Sequence, residues 1–299
     1  MRPDPHQIIQ EMDADLGSIE AVDTLSERHG HAVWRVGTAD RSYVLKWLPQ
    51  ADAEVEVQGA LLLQELGVPI LPLYGHTAQA LLMEDLSHSD VWRLAVEADV
   101  ARPGVGRAIA DWYRTLHKAG EELLSTGQRP RFLARETDAL DSETILATGR
   151  AVGLEDLSVW RLAADHIEML KGAVGQMSAT LNYNDFYWTN LALSRREDRP
   201  LEAIVFDYHL LGVGMRYSDV RNVTSSLSGE APLAFEEVYG DIDPREEVLD
   251  RPLSTLYALT VAARLSTFPH WAEGSLDRVT NGDLERDLRE AITLARSLL

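Results

Sequence analysis

The sequence predicts an α+β protein of two unequal lobes. The small N-terminal lobe, residues 1–86, is an antiparallel sheet with one helix; the larger lobe, residues 87–299, is mostly helical. Three observations carry this reading. Strand-like runs flank a single Ala/Glu/Leu-rich helix before residue 86. After Ser87, His88, Ser89 and Asp90 the apolar spacing turns helical. One hairpin with polar residues at its ends, over residues 181–207, interrupts the helical part.

The elements follow in order. Residues 6–20 read as a short helix with Ile8, Ile9, Met12 and Leu16 on one face. Residues 31–36 and 42–48 read as strands, and Gly37 and Asp40 between them predict a hairpin. Residues 52–66 form a helix stopped by Gly67, with Pro69 beyond. Residues 70–75 and 80–85 are two more short strands. Helices are expected over 105–124, over part of 130–150, and over 155–178. After the hairpin they return over 218–228, 231–239, 244–265 and 281–298.

Composition narrows the function. The chain carries 48 acidic against 28 basic residues, a net charge of −20, which argues against nucleic acid as a partner. An acidic cleft would concentrate a cationic ligand; the same charge also keeps a protein soluble, and both readings stand here. There are no cysteines, so thiol catalysis and thiolate metal sites are excluded. No apolar run reaches the roughly 18 residues that span a bilayer. The start, Met1 to His6, lacks the apolar stretch of a signal peptide. A cytoplasmic monomer or homodimer, without membrane partners, is expected.

The densest chemistry lies in Tyr183-Asn184-Asp185-Phe186-Tyr187-Trp188-Thr189-Asn190. It leads into the strand-like Leu191-Ala192-Leu193, and the next such run, 203–206, ends in Asp207. One end of a hairpin thus receives an Asp, an Asn and a second Asp. Phosphoryl transfer from a metal-bound nucleotide needs a carboxylate facing the acceptor hydroxyl and oxygen ligands for Mg²⁺. Asp185 suits the first task, and Asn190 and Asp207 the second. Alone, an Asp-x4-Asn spacing is equally a turn or a cap.

Lys46 is one of only three lysines and sits in a strand-like run, Tyr43 to Leu48. A Lys so placed pairs with nucleotide phosphates when a carboxylate on a nearby helix fixes it; otherwise it is an edge-strand Lys facing water. Glu56, three turns before Gly67, is the preferred partner and Glu54 the second choice. Gly30, just before the first hairpin, is the one glycine in a turn that would cover phosphates.

With these residues in this order, the chain resembles the aminoglycoside phosphotransferase and choline kinase family over roughly residues 20–225. The resemblance implies a protein-kinase-like fold, ATP or GTP as donor, and Mg²⁺. The family's catalytic loop has His where Tyr183 stands here, and an acidic residue where His209 stands. Leu116-His117 matches a helix end before the loop, and Gly67-Val68-Pro69 a small-lobe turn. Asp219 matches an Asp that supports the loop. Glu84 and Leu86 fall at the hinge whose backbone holds the adenine edge.

The resemblance leaves the acceptor open. The acidic run Glu236, Glu237, Asp241, Asp243, Glu246, Glu247 and Asp250 is either a site for ammonium groups or a solvated face. Trp112, Tyr187, Trp188, Tyr208 and Trp271 either enclose a quaternary ammonium or pack the core. The expected function is an O-phosphotransferase acting on a small, cationic alcohol. The alternative is a catalytically silent module of the same fold.

Overall fold

A computed structural model describes residues 4–12, 14–28, 30–127, 129–196 and 198–299. Met1 to Pro3 and His29 of the glycine turn lie outside the described residues.

The chain opens with α1 (Pro5–Glu11), capped by the Asp4 carboxylate, which accepts from the His6 N–H. Helix 6–20 was expected to run further. Instead Met12, Ala14 and Leu16 reach the same apolar cluster as Ile8 and Ile9 from irregular chain, so burial without helical backbone satisfies the spacing. Then come β1 (Ile19–Arg28), β2 (His31–Thr38) and β3 (Ser42–Trp47). α2 (Gln50–Glu65) is followed by β4 (Leu73–His76) and β5 (Ala80–Glu84), completing a five-stranded antiparallel sheet in the order β1-β2-β3-β5-β4. Alternation sends Tyr43 and Leu45 of β3 toward α1, in one cluster with Trp34, Val36 and Leu82. Lys46, next after Leu45, therefore points to the opposite side, toward α2.

The larger part begins with β6 (Trp92–Leu94) and the long α3 (Pro103–Ser125), then α4 (Ser142–Ala151) and α5 (Ser158–Val174). β7 (Thr180–Asn182) and a short 3-10 turn at Trp188–Asn190 precede β8 (Leu191–Ser194) and β9 (Ala203–Val205); the hairpin expected over 181–207 is formed by β8 and β9 alone, since β7 joins a different sheet. β10 (Gly212–Gly214) pairs with β7, and β8 lies between β6 and β9. α6 (Arg216–Ser226), α7 (Ala231–Tyr239), α8 (Pro244–Ala262), α9 (Glu273–Thr280) and α10 (Asp283–Leu298) close the chain. The antiparallel sheet followed by a helical part is the α+β arrangement expected.

Two apolar clusters organise the larger part. One joins α3, α7 and β7 around Ile109, Tyr113, Leu116, Leu181 and Phe235, and extends to Val57 and Leu63 of α2. The other packs α5 against α8 and α10. α3 lies directly on β7: a Cβ on Gly120 would stand 2.2 Å from the Leu181 nitrogen. That close approach fixes the strand that leads into the 183–190 loop.

Candidate active site

Lys46 reaches two carboxylates. Its Nζ lies 2.8 Å from Glu56 Oε1 and 2.8 Å from Asp207 Oδ1. Glu56 is on the inner face of α2, buried with Ala53, Val57, Ala60 and Leu63, whereas Glu54 is exposed. The partner is thus Glu56. Burial disfavours the ammonium, yet the charges of Glu56 and Asp207 outweigh it and raise the Lys46 pKa. The Asp207 carboxyl is held well down: burial alone would raise it, but the His209 hydrogen bond and the Lys46 charge prevail.

Asp207 follows β9 with φ +72°, a left-handed backbone that few non-glycine residues adopt. The turn points its carboxylate back into the cleft. His209 Nδ1 lies 2.8 Å from Asp207 Oδ1, and that hydrogen bond, ahead of burial, raises the imidazole pKa. Where the resemblance implies an acidic residue, His209 stands and pairs with Asp207.

Asp185 is half-buried, and burial raises its pKa. Its Oδ2 accepts from Asn190 Nδ2 at 3.0 Å. The Asn190 carbonyl accepts from the Phe206 N–H at 3.0 Å, so the turn carrying Asn190 is tied to the strand end carrying Asp207.

The loop is held from below by Asp219, fully buried on α6. Its two oxygens accept from the Tyr183 and Asn184 N–H groups, each at 2.9 Å. His117 Nε2 lies 3.0 Å from the same carboxylate, and its Nδ1 2.6 Å from the Tyr239 hydroxyl. Asn184 takes φ +66°, a conformation Asn tolerates better than most residues. Tyr183 is fully buried and its hydroxyl donates to the Phe206 carbonyl at 2.5 Å.

The other expected residues are placed as follows. Gly30 occupies the β1–β2 turn with φ +84°, against Pro49. Glu84 ends β5; its N–H donates to the Pro72 carbonyl and its carboxylate accepts from the Tyr74 hydroxyl at 2.5 Å. Leu86 packs with Leu71, Ala192 and Ile204, where sheet and helical part meet. Between them lies Asp85, which the sequence did not single out. It is buried and accepts from Arg35, Ser42 and the Ser87 N–H, with His88 Nδ1 also at hydrogen-bond distance.

Two sequence expectations change. Trp112 and Tyr208 are core residues whose donors reach the Pro69 and Val205 carbonyls, and Trp271 is exposed, so these rings do not form one aromatic enclosure. Of the acidic run, Glu236, Glu237 and Asp241 are exposed, Asp243 pairs with Arg245, and Glu247 pairs with Arg251. Glu246 accepts from the Tyr217 N–H, and Asp250 pairs with Arg221.

The donor set suits a divalent cation. Ligand atoms of Glu56, Asp207 and His209 lie within 4.8 Å of one another, and the buried Glu56 Oε2 has no hydrogen-bond partner. A fixed ammonium, a carboxylate–imidazole pair and a carboxylate–amide pair share one cleft.

The model of a phosphotransferase enzyme family matches residues 22–248. The chain belongs to this phosphotransferase family. No curated protein matches it. Among solved structures, a choline kinase from Streptococcus pneumoniae is 13% identical with a TM-score of 0.59, over 96% of this chain and 99% of that one. A choline/ethanolamine kinase family protein from Mesorhizobium loti is 15% identical with a TM-score of 0.59, over 93% and 94%. A macrolide 2'-phosphotransferase from Brachybacterium faecium is 15% identical with a TM-score of 0.52, over 97% and 98%. At such identities the likeness shows the fold. Family and fold together make this phosphotransferase a small-molecule kinase that uses a nucleotide and a divalent metal.

Proposed function

We propose that this phosphotransferase moves the γ-phosphoryl group of ATP to the hydroxyl of a small cationic alcohol. The observation that carries the reading is Lys46 held between Glu56 and Asp207 in the cleft that also holds the Asp185–Asn190 pair.

Each residue then has a task. Lys46, fixed by Glu56, pairs with nucleotide phosphates. Gly30 brings backbone over them, and the backbone of Glu84 and Leu86 borders the base. Asp207 and Asn190 hold the divalent cation. When bound, that cation offsets charge on the phosphate oxygens. Asp185 orients the acceptor hydroxyl and takes its proton at the carboxylate as the bond to phosphorus forms. Its pKa, raised by burial, makes it a better proton acceptor than an ordinary aspartate.

Unmet hydrogen bonds support a place for the acceptor's polar groups. A small cavity of about 40 Å³ next to Asn182 and Asn184, with room for one polar group of an acceptor, is lined by Arg135, Glu136, Asn182, Asn184, Ser218 and Asp250, among others. Arg135 Nε, Asn182 Oδ1, Asn184 Oδ1 and Ser218 Oγ are buried there without partners. Buried polar atoms are rarely left so, and three of these can accept from ammonium or hydroxyl groups. Glu136 is pushed up to about 7 by burial and then by the charge of Asp250. A cationic acceptor would relieve both. The choline kinase named above accords with such a substrate.

The test is an ATP-consumption screen across amino alcohols, aminoglycosides, macrolides and neutral sugars, with thermal shift by nucleotide alongside. Turnover with cationic alcohols and a nucleotide shift is expected. Turnover confined to neutral sugars would overturn the acceptor class. The absence of any nucleotide shift would point to a silent module.

A further inference from the structure

His209 has a chemistry that the nucleotide reading leaves unused. Its side chain and that of Asp207 are both about one-third exposed, 37% and 33%, and so face the cleft rather than the core. Glu56, the third member of the cluster, is buried and engaged by Lys46. Lys46 also holds Asp207 Oδ1, at 2.8 Å, so exposure is what sets Asp207 and His209 apart as the members a ligand from solvent can reach.

The geometry of that pair is that of two adjacent metal ligands. Bonds of about 2.1 Å at right angles place two ligand atoms about 3.0 Å apart. His209 Nδ1 and Asp207 Oδ1 are 2.8 Å apart. The left-handed backbone at Asp207 brings side chains two residues apart to one side of the turn. The same two atoms can share a hydrogen bond or share an ion.

We propose that His209 Nδ1 is a direct ligand, beside Asp207, of the nucleotide-bound divalent cation, and that it shifts the enzyme's preference from Mg²⁺ toward Mn²⁺. Oxygen-only sites suit Mg²⁺, a hard ion that dehydrates reluctantly. An imidazole nitrogen favours first-row transition ions, of which Mn²⁺ also keeps the octahedral, carboxylate-rich sites that Mg²⁺ uses. Asp207 and Asn190 supply the oxygens, and His209 the nitrogen. The competing role is positional: His209 merely orients Asp207 by a hydrogen bond and touches no metal.

This inference rests on the cleft being a metal–nucleotide site, and the experiment separates the two. Protein labelled with ¹⁵N-histidine is loaded with Mn²⁺ and unlabelled ADP, and pulsed electron paramagnetic resonance reads the nuclei bound to manganese. The label tells a histidine nitrogen from an adenine nitrogen. A ¹⁵N coupling is expected in the wild type and absent in His209→Gln. Competition binding with ADP present gives a second readout: His209→Glu should lower the Mn²⁺-over-Mg²⁺ affinity ratio by about tenfold. Nucleotide-dependent Mn²⁺ binding without ¹⁵N coupling, and with an unchanged ratio in His209→Glu, would overturn the ligand role and leave the nucleotide site standing. No nucleotide-dependent Mn²⁺ binding at all would overturn both.

Discussion

The hydroxyl of Tyr183 donates to the carbonyl oxygen of Phe206 over 2.5 Å. This bond ties the residue two before Asp185 to the residue just before Asp207. The Tyr183 ring packs edge-on against Trp112 and Tyr208, and its tip holds the turn that leads to Asp207.

Tyr183→Phe keeps the packing and removes the tie. The expected loss of stability is about 1–2 kcal/mol, since a buried carbonyl loses its donor. Small misplacement of reacting groups is costly, so kcat should fall by about tenfold or more, with acceptor KM little changed. Steady-state kinetics and urea unfolding check both. An unchanged kcat would show that the turn holds without the bond.

Lys46→Met removes the cation between Glu56 and Asp207. Breaking a buried pair leaves an uncompensated charge, and about 3–5 kcal/mol of destabilisation is expected. Adding Glu56→Gln should recover part of that stability but none of the activity. Denaturation of both variants, with nucleotide titration, tests whether Lys46 acts on phosphate as well as on its neighbours.

Asp85 contributes to acid stability. Burial alone would raise its pKa, but hydrogen bonds from Arg35 and Ser42, with His88 and Ser87, bring it down to about 2. Its unfolded value is about 3.9, so the depressed folded value contributes stability above that pH and loses it as pH falls toward 2. The loss is about 2 kcal/mol by the same linkage. Asp85→Asn should therefore lower the melting temperature at pH 7 and flatten its fall below pH 4. Equal acid sensitivity in both proteins would remove Asp85 from this role.

Glu136 has the opposite sign. Its folded pKa, about 7, lies above the usual carboxylate value, so the unfolded chain ionises first and stability falls as pH rises between about 4.5 and 7. Glu136→Gln should be the more stable protein at pH 8, by up to about 3 kcal/mol, with little gain at pH 4. The same variant should raise acceptor KM. Calorimetry near pH 7 in buffers of different ionisation enthalpy should detect proton release when a cationic acceptor binds.

Much of this fold was legible because its elements carry period. The alternation of β2 and β3 and the apolar faces of α2 and α3 announce themselves. β1 does not: most of its residues are exposed, and its register shifts between Thr24 and Ser26, so no period of two survives. β6 and β10 are three residues each, too short for any pattern. In the site, Lys46, Glu56, Asp185, Asn190 and Asp207 could be read because each chemistry needs a particular residue type at a particular element end. Asp85 could not, because Arg35 and Ser42 reach it from distant segments, nor could Glu136 and Ser218, whose shared cavity is assembled from distant segments. His209 was visible only as a missing acid; its contact with Asp207 depends on a backbone turn that spacing does not reveal.

The most direct test of the central claim is Asp185→Ala, assayed for phosphate transfer to an acceptor that the wild type turns over, with nucleotide binding measured on the same sample. Transfer should fall by at least about a hundredfold, the usual contribution of a positioned base and oriented acceptor. Nucleotide affinity should stay within about twofold, since Lys46 and Asp207 remain. Near-wild-type transfer by Asp185→Ala would contradict the account.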